Sequence, residues 1–363
     1  MLETKLVSVI ICTFNGNNSI HLPLNSLLNQ TYPLEKIEII LVDDGSINPI
    51  EYNKMNYLDI NIKIIRNEVN KGLGYSRNIA VKCAKGSFIF FTDDDCTLDK
   101  YWIETMVKSF DKFPDSDAFG GKILSSKNDN FWQFYTEHAK IQFFNHMTFQ
   151  NNNAFNYISR FFSSKVRKLE DGQLLKSCMG LNSAYRSEIL KQFPPDKSKK
   201  RGVDLDINLR ILSNGSNIRY IETAKVYHPH RDKLTNFCSH AFAYGKNSNL
   251  TFRLLNKKII PYPFPFLVPI ILIFYLLCIF LLALNHTLSF VLISLLSAIS
   301  VVSPLILYYV ANIGYIIKIR KITDIKKFIF FFPLGHLIWE FCWDLGWISV
   351  LFLKKKNNLQ ETS

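Results

Sequence analysis

The chain has 363 residues, a net charge of +13, 48% hydrophobic and 20% charged residues, and a mean hydropathy of +0.06. That balance is too apolar for an ordinary soluble enzyme, and the excess falls after Tyr262, beside which much of the positive charge also sits. Membrane flanking therefore accounts for the charge better than a nucleic-acid surface does, and no nucleic acid is expected among the partners.

Seven scattered cysteines (12, 83, 96, 178, 238, 278 and 342) form no Cys-x-x-Cys pair, which argues against a disulfide framework or a zinc site. Met1 to Lys5 lead straight into an apolar run, so the front of the chain is expected to stay in the cytosol.

Leu6 to Thr13 reads as a first strand, and the polar residues Thr13 to Asn18 as the loop into a helix over Ser19 to Asn29. Lys36 to Val42 is a second strand closed by Asp43-Asp44-Gly45-Ser46. Acids there are placed either to take sugar hydroxyls, as in dinucleotide folds, or simply to make an Asp-Gly turn. Ile62 to Arg66 is a third strand. It precedes Asn70-Lys-Gly-Leu-Gly-Tyr-Ser-Arg-Asn78, a glycine loop entering a helix whose first N–H groups, with Arg77, suit phosphate oxygens.

The run Phe88-Ile-Phe-Phe-Thr92 is a buried strand that delivers Asp93, Asp94 and Asp95 to its carboxyl end. In an extended chain Asp93 and Asp95 point one way and Asp94 the other. Two such carboxylates hold one hard cation, Mn²⁺ or Mg²⁺, whose other ligands come from water and phosphate; the alternative is an acidic turn before the helix from Lys100 to Phe113. Strands alternating with helices predict a doubly wound α/β sheet. Acid clusters at two strand ends with a basic glycine loop between them favour a nucleotide diphosphate with a metal.

Residues 125–175 read as a variable insertion on the acceptor side. Asp204 and Asp206 open a helix that stops at Asn214-Gly215, either as dipole-complementing caps or with one of them as a general base. Tyr227-His-Pro-His-Arg231 follows a short strand, and one of its histidines is either a metal ligand or structural.

The ordered set Val9-Ile-Ile-Cys-Thr-Phe-Asn15, Val42-Asp-Asp-Gly-Ser46, Gly72 with Arg77-Asn78, Phe91-Thr-Asp-Asp-Asp95, Gly180-Leu-Asn-Ser-Ala-Tyr-Arg186 and Gly202-Val-Asp-Leu-Asp206 resembles the family 2 glycosyltransferases of GT-A fold. The resemblance covers residues 6–250, within a catalytic domain expected over 1–250. It implies an inverting transfer from a nucleotide-diphosphate sugar. Thr13, Asn15, Asp43 and Asp44 would line the nucleoside pocket, and Arg77 and Asn78 would lie near the phosphates. Asp93 and Asp95 of the Asp-x-Asp motif would hold the metal, with His228 as a further contact and Asp94 beside the donor. Asn182 would face the sugar and the acceptor. Asp204 takes the base position of a Glu-Asp-x-Asp element whose Glu is replaced here by Val203, leaving Asp206 as the fallback. No Gln-x-x-Arg-Trp motif follows, which implies one sugar per event.

The tail, residues 251–363, reads as a membrane region. Phe266 to Leu284 is an uncharged run of bilayer length and a second extends over 288–317; positive charge flanks both outer ends, so the hairpin is expected to enter and leave from the cytosol. Residues 328–353 carry His336, Glu340 and Asp344 on one helical face and Trp339, Trp343 and Trp347 on a neighbouring one. They read as an interfacial or re-entrant segment with Gly335 or Gly346 at a bend. The whole predicts a membrane-attached transferase acting on a lipid-linked glycan. The alternatives are a polyprenyl-phosphate sugar synthase, whose ionised acceptor needs no base, and a non-catalytic membrane scaffold.

Overall fold

A computed structural model of the chain describes residues 4–50, 61–126, 130–138, 169–254 and 332–350. The expected spans 266–284 and 288–317, and most of the expected insertion, lie outside the described residues. No described helix is long and apolar enough to cross a membrane.

The centre is a parallel block of three strands, β1 (Val7–Thr13), β2 (Ile37–Asp43) and β4 (Phe88–Asp93), with β3 (Asn61–Arg66) added outside β2. Their side chains alternate between two cores. Val7, Val9 and Ile11 of β1, Ile37, Ile39 and Leu41 of β2, and Phe88 and Phe90 of β4 face one side. Ile10, Ile40, Val42, Ile89 and Phe91 face the other. Both faces are therefore apolar, so these strands read as continuous hydrophobic runs. Each fully buried Ile or Phe contributes roughly 1.5–3 kcal/mol of burial free energy.

Helices α1 (His21–Leu28) and α3 (Trp102–Lys112) cover the first face through Leu24, Leu27, Trp102, Met106 and Phe110. Helices α2 (Leu73–Cys83), α5 (Ser187–Gln192) and α6 (Val203–Ser213) cover the second through Ala80, Val81, Leu190, Ile207 and Ile211.

Beyond β4 the sheet becomes mixed. Short strands β5 (Thr97–Leu98) and β7 (Leu174–Leu175), with β6 (Ser116–Ser125), β8 (Ser183–Arg186) and β9 (Asn217–His228), complete the order β3-β2-β1-β4-β8-β6-β9-β5, and β7 pairs β9. β8 runs antiparallel to both β4 and β6, whereas β6 and β9 are parallel.

Three further helices stand on the β9 side: α4 (Phe131–His138), α7 (Leu234–Leu254) and α8 (Phe332–Ser349). The α8 stretch is one continuous helix, so Gly335 and Gly346 are not bends. They are close approaches instead. A Cβ on Gly346 would stand 2.0 Å from the Phe242 carbonyl of α7, and one on Gly245 would stand 1.9 Å from the Trp343 carbonyl. Phe237 meets Trp339 at one end while Gly245 meets Trp347 at the other, so the two helices run in the same direction.

Candidate active site at the carboxyl edge of the sheet

Register brings the acids together. Thr13 stands beside Asp43 across β1–β2, and Cys12 beside Asp93 across β1–β4, so both acid clusters leave the same edge. Asp43 accepts from the Ser46 amide at 2.9 Å and is paired with Arg66, which also donates to the Ser46 carbonyl at 2.8 Å. Asp44 accepts the amides of Lys71 (3.0 Å) and Gly72 (2.8 Å) and the side chain of Asn67 (2.7 Å). The turn acids thus brace the glycine loop. Gly45, at φ +76°, packs so tightly that a Cβ would stand 2.5 Å from Val69 backbone. Asn15 adopts φ 59°, donates its amide to Ser46 Oγ at 2.8 Å and accepts from Ile47 at 2.9 Å. Sequence reasoning passed over Ser46, Arg66 and Asn67; Arg66 was visible as a cation ending the strand next to Asp43.

Only Asp93 belongs to β4; Asp94 and Asp95 stand in the turn that follows, so the expected strand alternation stops at Asp93. Asp93 continues the face of Phe91, toward α2 and α6, where Arg77 lies over the Phe91 ring at 4.8 Å. Arg77 is only 3% exposed and donates to Asp93 at 3.3 Å and to Asp204 at the start of α6. Asp94 turns to the opposite side and accepts from Thr13 Oγ1. Asp95 reaches the end of β9, where its carboxylate lies 3.4 Å from His228 Nε2.

The charges on these groups follow from burial. Desolvation raises the pKa of Asp93 against the pull of Arg77 and His228, and raises that of Asp95 against Arg231. It pushes Asp94 up to about 6 against the Thr13 hydrogen bond, and it lowers His228. Acids raised in this way are short of positive charge. Among the described residues no three His, Cys, Asp or Glu side chains gather closely enough to hold an ion by themselves. Asp93, Asp95 and His228 therefore do not form a closed ligand set. Carboxylates and one imidazole at an open edge do fit a hard cation that takes the rest of its shell from phosphate oxygens and water.

Three expected site residues are spent on the scaffold. Asn182 is 1% exposed, accepts from Trp102 Nε1 at 2.8 Å, and donates to the carbonyls of Lys122 (2.9 Å) and Ala224 (3.0 Å). Its amide locks α3 to β6 and β9. Asn78 is buried and donates to the Pro195 carbonyl at 2.7 Å, holding α2 to the approach of α6. Asp206 is buried against Arg210, with bonds of 2.7 and 3.0 Å, and lies 3.8 Å from Lys199, so its carboxylate is already engaged within the scaffold. Asp204 keeps a third of its side chain open.

A mixed sheet with acid-bearing loops at the carboxyl edge of its parallel half is the GT-A glycosyltransferase arrangement. Residues 8–193, just over half of the chain, match the family described as glycosyl transferase family 2, and the chain belongs to that family. It is 32% identical over 121 residues to the glucosyl-dolichyl phosphate glucuronosyltransferase of Haloferax volcanii, covering 32% of this chain and 38% of that protein. It is 38% identical over 106 residues to the Escherichia coli UDP-Glc:alpha-D-GlcNAc-diphosphoundecaprenol beta-1,3-glucosyltransferase WfaP, covering 29% and 39%. The chain spans less than half the length of the curated relatives it matches. Among solved structures, a mannosyltransferase from Pyrobaculum calidifontis, in complex with GDP-Man and Mn²⁺, superposes with a TM-score of 0.56 at 16% identity. That match covers 94% of this chain and 88% of the other, and it shows a shared fold.

Proposed function

We propose that this chain moves one sugar, with inversion, from a nucleotide-diphosphate sugar to a hydroxyl of a lipid-linked glycan at the cytosolic membrane face. The observation that carries this reading is the single buried guanidinium of Arg77 bonded to both Asp93 and Asp204. It ties the strand end suited to the diphosphate to the one acid suited to the acceptor. The curated relatives named above support the acceptor class, since their names specify lipid-linked substrates.

Thr13, Asn15, Asp43 and Asp44 would frame the nucleoside, and Asp93, Asp95 and His228 would hold a divalent cation, Mn²⁺ or Mg²⁺. When bound, the cation supplies charge neutralisation to the departing diphosphate. Asp204 takes the acceptor proton as the hydroxyl oxygen attacks the anomeric carbon from the face opposite the diphosphate. Arg77 holds that carboxylate oriented through the attack. The apolar runs 266–284 and 288–317 would keep the enzyme at the membrane beside its acceptor.

The test is transfer of labelled sugar from a panel of nucleotide sugars into the membrane lipid fraction of the source cell, with Mn²⁺. Label should enter a lipid-extractable glycan in the wild type and not in Asp204→Asn. Label entering lipid equally well in both would show that the acceptor is already ionised, and the reading would fall.

A further inference from the structure

The strand order places β9 on the opposite side of β4 from β1 and β2. The helix α7, which starts six residues after the end of β9, therefore lies on the side of the sheet away from Thr13, Asn15, Asp43 and Asp44. On α7, Phe237 and Ala241 turn inward and are buried. His240 and Tyr244, one helical turn apart on another face, lie with ring centroids 4.7 Å apart and planes inclined by 37°. Trp339 of α8 closes the third side, 6.2 Å from His240 and 6.3 Å from Tyr244, and Phe237 backs it edge-on at 5.2 Å. These aromatic rings come from two segments far apart in sequence; His240 and Trp339 are partly buried, and Tyr244 keeps 38% of its surface accessible although its hydroxyl end is the buried one.

The electrostatics of the two rings agrees with a place near the site. Burial raises the pKa of the Tyr244 hydroxyl, and the carboxylates of Asp204 and Asp93 raise it further. Burial pushes His240 down to about 4, with Arg231, Arg201, His228 and His230 adding to the effect. The charges that act on the two rings thus include those of the candidate base and of the residues around His228. Both rings are uncharged at neutral pH.

We propose that His240, Tyr244 and Trp339 form a stacking platform for a pyranose ring of the acceptor, a binding site distinct from the donor pocket; the assignment rests on the transferase reading above. Aromatic faces cover the C–H face of a pyranose, while imidazole nitrogen, phenol and indole N–H at the ring edges bond its hydroxyls. An apolar surface with a few polar groups at its border is the usual make-up of a small-ligand site. A lipid chain would use no such edges. It has a better surface in the exposed Phe242, Phe341 and Leu345, which carry none.

Saturation-transfer NMR on the full chain in nanodiscs tests this, with methyl glucopyranoside, methyl galactopyranoside and methyl N-acetylglucosaminide as probes and farnesyl phosphate as the lipid control. At least one pyranoside should take up saturation from aromatic protons. The enhancement should fall at least fivefold in Tyr244→Leu and in Trp339→Leu, and Trp339→Phe should retain at least half of it. Circular dichroism of each variant checks the fold, and Tyr244→Leu, on an open face, provides the result if Trp339→Leu loosens α8. The proposal is overturned if no pyranoside responds, if the response survives both Leu variants, or if only farnesyl phosphate shows the variant-sensitive signal. Nucleotide-sugar binding is titrated in a parallel sample. Donor binding without a pyranoside response removes the platform alone, and a pyranoside response without donor binding counts against the transferase reading alone.

Discussion

Arg77 bonds Asp204 across the interior of the cleft, joining the second turn of α2 to the first turn of α6. The same guanidinium reaches Asp93, so one buried cation orders acids from two elements far apart in sequence. A lysine has one point charge and cannot fork to both. Arg77→Lys should lower the free energy of unfolding by about 1.5–3 kcal/mol, the range for hydrogen bonds to charged groups. Urea denaturation followed by circular dichroism measures this. An unchanged midpoint would mean that the bridge is not formed in solution.

Asp204 and Asp206 separate by what they already hold. Asp204 is a third open and shares only Arg77, whereas Asp206 is buried between Arg210 and Lys199. Asp204→Asn should cost about 10²–10⁴-fold in kcat, the range for a lost general base, with nucleotide-sugar affinity within twofold. Asp206→Asn should keep kcat within a few-fold and lower stability instead. Steady-state kinetics beside thermal melts distinguishes them, and the reverse pattern would transfer the base to Asp206.

The parallel half of the fold was legible because each strand is an apolar run and each run ends in acids. Runs with both faces buried need no partner to be recognised. The antiparallel half was not. β6 contains Gly120 and Gly121, which look like a turn and are there because Cys178 and the Ala224 carbonyl leave no room for a Cβ. Within the site, alternation was expected to send Asp93 and Asp95 one way, but the chain turns after Asp93, and the two acids meet different partners, Arg77 and His228. The scaffold bonds of Asn182 were not legible, because a motif shows which amide is present and not which carbonyls it meets. Asp206 carried a signal that was passed over, namely Arg210 four residues on, the spacing of a helical ion pair. The platform residues were split between the end of one domain and a segment read as membrane-associated, so no local pattern joined His240 and Tyr244 to Trp339.

Asp95 and His228 meet at the open edge, each from a different strand end. If they share a cation with Asp93, removing His228 weakens metal binding while leaving two carboxylates. His228→Ala should raise the Mn²⁺ concentration for half-maximal transfer about 10-fold or more, by analogy with the cost of disturbing the groups that support a metal site. Asp93→Ala and Asp95→Ala should abolish metal-dependent turnover, and EDTA should do the same to the wild type until Mn²⁺ is restored. A Mn²⁺ activation curve for each variant is the measurement, and activity indifferent to EDTA would remove the cation from the site.

Gly245 and Gly346 let α7 and α8 approach backbone to backbone, each glycine facing a carbonyl of the other helix. Neither contact can be relieved by a side-chain rotation, since the obstructing atoms are main chain. Gly346→Ala must push the helices apart, and inserting a methyl group into a close-packed contact costs about 1–3 kcal/mol. The stacked pair Trp343–Trp347, 5.3 Å apart beside that crossing, and the Phe237–Trp339 contact would loosen together. Tryptophan emission should shift to the red, and limited proteolysis should cut near α8 faster than in the wild type. Because Trp339 belongs to the platform and not to the donor pocket, the acceptor KM should rise while nucleotide-sugar affinity holds. If Gly346→Ala leaves emission, proteolysis and acceptor KM unchanged, α8 does not dock on α7 as described, and Trp339 is not delivered to the cleft.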